Sequence, residues 1–82
     1  MTLLDEHERE ILERTNRLAN GTEFSLRTLF GGKYGFENYI ERSGQRKALG
    51  TQFRKAVDEG RYVSIRYSRH SQSPAEHLYI CN

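Results

Sequence analysis

Apolar and polar residues alternate most sharply near the C-terminal end of the chain. Val63, Ile65 and Tyr67 alternate with Tyr62, Ser64, Arg66 and Ser68, and Leu78 and Ile80 alternate with His77, Tyr79 and Cys81. Period two marks a half-buried strand, so Tyr62 to Ile80 is expected to form a β-hairpin. Pairing Ile65 with Ile80 sets Tyr67 opposite Leu78 and gathers those four side chains on one face. Ser64, Arg66, Ser68, His77, Tyr79 and Cys81 then occupy the other face. The polar stretch from Arg69 to Glu76 is expected to be a loop projecting into water.

A helical period precedes the hairpin. Leu49, Phe53, Ala56 and Val57 fall on one stripe of a helix from Gly44 to Glu59. Ser43 is placed to cap its start and Gly60 to end it. Gly50 sits mid-helix, where glycine is costly. Either another backbone packs closely there, or Leu49-Gly50 is a turn and Thr51 caps a shorter helix. The continuous helix is preferred because it puts Leu49 and Phe53 on one face. Its other side carries Arg46, Lys47, Thr51, Arg54 and Lys55.

The first half reads less clearly. Thr2 and Asp5 form a capping-box pattern ahead of a helix ending at Asn20-Gly21, with Leu4, Ile11 and Leu18 on its apolar side. Acidic residues fill the early turns, and Glu10–Arg14 and Glu13–Arg17 are spaced as favourable pairs. The helix either supports its own domain or pairs with a second copy. Thr22 to Phe24 is expected to be an edge strand beside the hairpin. Ser25 should cap a brief helix, Leu26 to Phe30. Gly31-Gly32 breaks the chain, Lys33-Tyr34-Gly35 continues the loop, and Phe36 to Glu41 gives a further turn or two of helix. The fold class is therefore α+β, in the element order of a winged helix.

Composition narrows the choices. The chain has 82 residues, of which 35% are hydrophobic and 29% charged, so its core is near the lower limit for independent folding. A homodimer is one way to supplement such a core. Net charge is +2, unevenly placed. Residues 1–23 carry 3 − 6 = −3, and residues 24–82 carry 10 − 5 = +5. A basic body with an acidic end suits an anionic partner met by the body alone. A single cysteine, Cys81, excludes an internal disulfide and suits a reducing, cytoplasmic setting. No apolar run reaches membrane-spanning length, so no membrane partner is expected.

The segments Phe24-Ser25-Leu26-Arg27-Thr28-Leu29-Phe30 and Leu49-Gly50-Thr51-Gln52-Phe53-Arg54-Lys55-Ala56-Val57, with Gly60, resemble a family of small uncharacterised phage and bacterial proteins with a winged-helix-like core. The similarity spans roughly residues 24–80, with Tyr79 as the aromatic of the last strand. It implies DNA binding through the long helix and the wing, although winged helices also serve as protein-contact modules.

The candidate interface for double-stranded DNA is therefore Arg46, Lys47, Thr51, Arg54 and Lys55 on the helix, with Gln52 alongside, and Arg66, Arg69 and His70 on the hairpin. The alternative is a protein-interaction module, such as a small inhibitor that occupies a host protein complex. No enzyme chemistry is expected. Gly32-Lys33 lacks the spacing of a phosphate-binding loop. His70, Glu76, His77 and Cys81 do not match a zinc pattern, and Cys81 has no evident base. No cofactor or metal is expected.

Overall fold

Leu49 and Phe53 are wholly shielded from solvent, and the rest of the chain packs around them. A computed structural model describes residues 2–72 and 75–81. These residues form four helices and one antiparallel sheet, in the order α1 (Leu3–Asn16), β1 (Glu23–Phe24), α2 (Leu26–Leu29), α3 (Gly32–Tyr39), α4 (Ser43–Asp58), β2 (Ile65–Gln72) and β3 (Ala75–Cys81). The protein is α+β, with a C-terminal hairpin. The strand order β1-β3-β2 places β3 between its neighbours, an arrangement compatible with a winged helix. No helix among the described residues is long and apolar enough to cross a membrane.

Local signals explain most helix ends. Thr2 Oγ1 accepts from the Asp5 amide at 3.2 Å, while the Asp5 carboxylate accepts from the Thr2 amide at 3.1 Å. Ser25 and Thr28 form the same reciprocal box at α2. Gly60 ends α4 with φ of 77°. Other boundaries differ from expectation. The cap of α4 is the backbone of Arg42, and Ser43 is already helical. The first helix stops at Asn16 with Arg17 as its C-cap, so Glu13 pairs with Arg9 at 3.3 Å rather than with Arg17. Glu10 and Arg14 do pair, at 3.1 Å.

The first helix packs on its own domain. Leu4 and Ile11 are buried in the common core, and the Leu4 amide donates to Gln52 Oε1 at 2.8 Å. Arg61 pairs with Asp5 and Glu8 of α1. Leu4 and Ile11 of the apolar seam are thus used within the chain, and Leu18 lies beyond the helix, partly buried.

The segment read as a glycine loop is helical. Gly31 and Gly32 turn the chain with φ of 94° and 91°, and α3 starts at Gly32 rather than at Phe36. Gly35 is then inside the helix, because a side chain there would strike the Phe30 carbonyl.

The hairpin register departs from expectation by one residue. Ile65 pairs with Cys81, Arg66 with Ile80 and Tyr67 with Tyr79. The shift turns Tyr79 and Cys81 inward and Ile80 outward. The cause is volume: the Tyr79 ring sits edge-on to Phe53 at 4.8 Å and beside Phe24 at 5.8 Å, filling space a leucine would leave empty. The Cys81 thiol donates to the Ala19 carbonyl at 3.1 Å. A bulge between Tyr67 and Arg69 then sets Arg69 opposite Leu78.

The hairpin also starts and ends differently. Tyr62 is buried, but Val63 is 96% exposed at a turn, so β2 begins only at Ile65. Pairing continues through Gln72 and Ala75, so most of the expected loop is strand. Ser73 and Pro74 of that loop lie outside the described residues.

Gly50 lies in an unbroken helix, and no backbone packs against it: a Cβ there would meet nothing within 4 Å. Gly50→Ala should therefore stabilise the protein by about 0.5–1 kcal/mol. Gly35→Ala should destabilise it, and Phe53→Ala should cost about 3–5 kcal/mol. Urea midpoints at constant slope measure all three.

Candidate nucleic-acid interface

Three exposed side chains make a row along α4. Lys47, Thr51 and Lys55 are spaced by four, which stacks them on one helix face. Among the described residues, neither lysine forms an ion pair with a carboxylate. This row points away from the stripe that buries Leu49, Phe53, Ala56 and Val57.

Beside the row runs an open groove of about 870 Å³, between α4 and the hairpin and bounded by α2 and α3. Arg27, Lys33, Arg46, Lys47 and Arg54 bring five cations to it, against the carboxylates of Glu37 and Glu76. Its apolar lining includes Leu26, Phe36 and Tyr79. The groove is thus cationic at its edges and apolar beneath.

The expected site residues do not all meet there. Lys47, Thr51, Arg46 and Arg54 line the groove, and Lys55 stays on the outward row. Arg46 is partly committed, since its guanidinium donates to the carbonyls of Ile40 at 2.7 Å and Glu41 at 2.9 Å. It ties the end of α3 to the start of α4. Arg54 pairs with Asp58 and lies 3.5 Å over the Tyr67 ring, joining α4 to the hairpin. Gln52 turns toward α1, where it accepts from Leu4, and does not reach the groove.

The hairpin cations divide. Arg66 and Arg69 stand opposite Ile80 and Leu78, on the sheet face away from Tyr79, so they do not flank α4 as expected. Arg69 is also paired with Glu23 at 3.2 Å. That carboxyl is held below its ordinary range first by the Ser68 hydroxyl and then by Arg69. Arg66 lies away from Ile65 and Tyr67 in either register, and the bulge between Tyr67 and Arg69 puts Arg69 on that same face. His70 is on the groove side, its ring 4.8 Å from that of His77.

Arg27, Lys33, Glu76 and His77 line the groove but were not among the expected site residues. Glu76 lies 3.8 Å from Arg27. From sequence, Lys33 reads as a loop residue and His77 and Glu76 only as candidate metal ligands. No local signal marks them, because their meeting depends on how α2 and α3 pack beside β3. Among the described residues, no three His, Cys, Asp or Glu side chains gather around a common metal position.

His77 links the hairpin's polar groups. Its Nδ1 is 3.0 Å from the Tyr67 hydroxyl. Burial lowers its pKa first, and the neighbouring His70 and Arg54 lower it further. Burial also raises the Tyr79 phenol.

The model of a domain of unknown function (DUF1413) matches residues 9–80. No curated protein and no solved structure matches the chain.

The His77 geometry gives a pH dependence with a defined sign. The unfolded chain takes up the imidazole proton near 6.5, before the folded one does. The stability present above that pH is therefore lost as pH falls through the folded pKa. His77 should titrate below 6.5 by NMR. His77→Gln should reduce the fall in urea midpoint between about pH 7 and about pH 5. A midpoint at or above the ordinary histidine value would contradict this packing.

Proposed function

The chain belongs to the DUF1413 family, whose description assigns no activity, and from its surface we propose that it is a small regulator that binds duplex DNA. In this reading the row Lys47, Thr51 and Lys55 enters the major groove, which accepts one helix. Arg54, Lys33 and His70 lie along the flanking phosphates. The observation that carries the reading is the exposed lysine row on α4, free of carboxylate partners among the described residues, beside a hairpin. The acidic α1 supports it by position. It meets α4 at Gln52 and engages Arg61, so its carboxylates are kept from the lysine row.

The facing of the hairpin narrows the proposed contact set. Arg66 and Arg69 belong to the far face of the sheet and are not part of the proposed contact. A cytoplasmic location and a phage-type regulatory role complete the reading. A lone thiol suits a reducing interior, and the phage-type role extends the resemblance of residues 24–80.

Fluorescence anisotropy with labelled duplexes across a salt series tests this. Lys47→Ala with Lys55→Ala should weaken binding and reduce the log–log salt slope by about 0.9 for each lost phosphate contact. Arg66→Ala with Arg69→Ala should leave affinity nearly unchanged. The reading fails if wild type does not bind at about 50 mM salt, where charge contacts are strong, or if the double lysine variant binds as wild type does.

A further inference from the structure

Gly35 and Gly50 both sit inside helices, and the chain itself accounts for only one of them. The Phe30 carbonyl leaves no room for a side chain at Gly35. Nothing lies within 4 Å of a Cβ at Gly50, and its φ is not positive. Glycine at that position weakens the helix with no return inside the molecule. Its vacant side-chain position opens onto the groove between Lys47 and Arg54. Such a notch lets something outside the chain approach the helix backbone closely.

The opposite wall offers an open strand edge. β1 ends at Phe24, opposite Tyr79, so the Ala75–Leu78 part of β3 has no described strand on that side. Glu76 and His77, from that stretch, line the groove. An extended chain can add to such an edge through backbone hydrogen bonds. Glu76 Oε2 makes no hydrogen bond among the described residues and lies 3.8 Å from the Arg27 guanidinium, which leaves it loosely held beside that edge.

Charge and size select the occupant. Five cations against two carboxylates favour an acidic ligand, and Leu26, Phe36 and Tyr79 favour one that also carries apolar side chains. A volume of about 870 Å³ suits a few residues of extended chain. We propose that the groove is the docking site for an extended, acidic segment of a partner protein, which adds along the open edge of β3 and seats an apolar residue against Gly50. The site is independent of the DNA reading. The two ligands share Lys47 and Arg54, so they compete.

A random peptide library panned on the wild-type protein, with Gly50→Leu as counter-selection, tests the site. Recovered peptides should combine acidic and apolar residues. A synthetic peptide of the recovered sequence should lose roughly tenfold or more in affinity for Gly50→Leu, read against the logarithmic affinity scale. The melting temperature of Gly50→Leu should not fall below that of wild type. Gly50→Ala, which gains helix propensity, provides a second folded variant and should show a smaller loss. Amide shifts on binding should centre on Gly50 and on residues 75–78 of β3.

The proposal is overturned if nothing is enriched, if the peptides lack acidic residues, or if binding ignores the Gly50 substitutions. It is also overturned if the amide shifts fall elsewhere, or if duplex DNA alone binds in a Gly50-dependent manner. Lys55 lies off the groove, so Lys55→Ala alone should weaken DNA binding and leave peptide binding unchanged, and this separates the two readings.

Discussion

The edge-on contact of Tyr79 with Phe53 organises the molecule. It joins the middle of the sheet to the middle of the longest helix, and both residues are almost fully buried. Phe24 and Tyr67 add further rings around Tyr79, at 5.8 Å and 5.7 Å. Aromatic clusters of this kind bury large areas with few rotamers, which suits a short chain with a small core. The hairpin register, the inward turn of Cys81 and the outward turn of Ile80 all follow from seating that one ring.

Charge is arranged around this core in pairs that cancel locally and a few groups that do not. Arg61 is held by Asp5 and Glu8, Arg69 by Glu23, and Arg54 by Asp58. Exposed pairs of this sort contribute little stability each. Their larger effect is on what remains unpaired. Lys33, Lys47 and Lys55 keep their charges facing solvent, and two of the three border the groove. Net charge alone, at +2, would not suggest so uneven a surface.

Arg54 shows how structure and surface share a residue. Its guanidinium spans from Asp58 to the Tyr67 ring, so it both anchors the hairpin to α4 and lends charge to the groove. Lys47 carries no such duty and is the cleaner probe of binding. Gly50, between them, keeps the wall low. The groove therefore owes its shape to a missing side chain as much as to those present.

Much of this was legible along the chain. Thr2 with Asp5, Ser25, and Gly60 set helix ends through contacts within a few residues, and such contacts are readable from spacing. Alternation likewise revealed a hairpin, and the long helix was continuous through Gly50 as expected. What alternation cannot state is its own parity. Either set of alternate residues in Tyr62–Ile80 has enough apolar members to face inward, and only the space beside Phe53 chose Tyr79 over Ile80. Arg66 faces away from Tyr79, and the bulge after Tyr67 sends Arg69 the same way. The packing of α2 and α3 then brought in Arg27 and Lys33, residues far from Lys47 in sequence. Helix ends and strand periods are local properties of the chain, whereas register and the meeting of distant cations are settled by which side chains fit a shared volume.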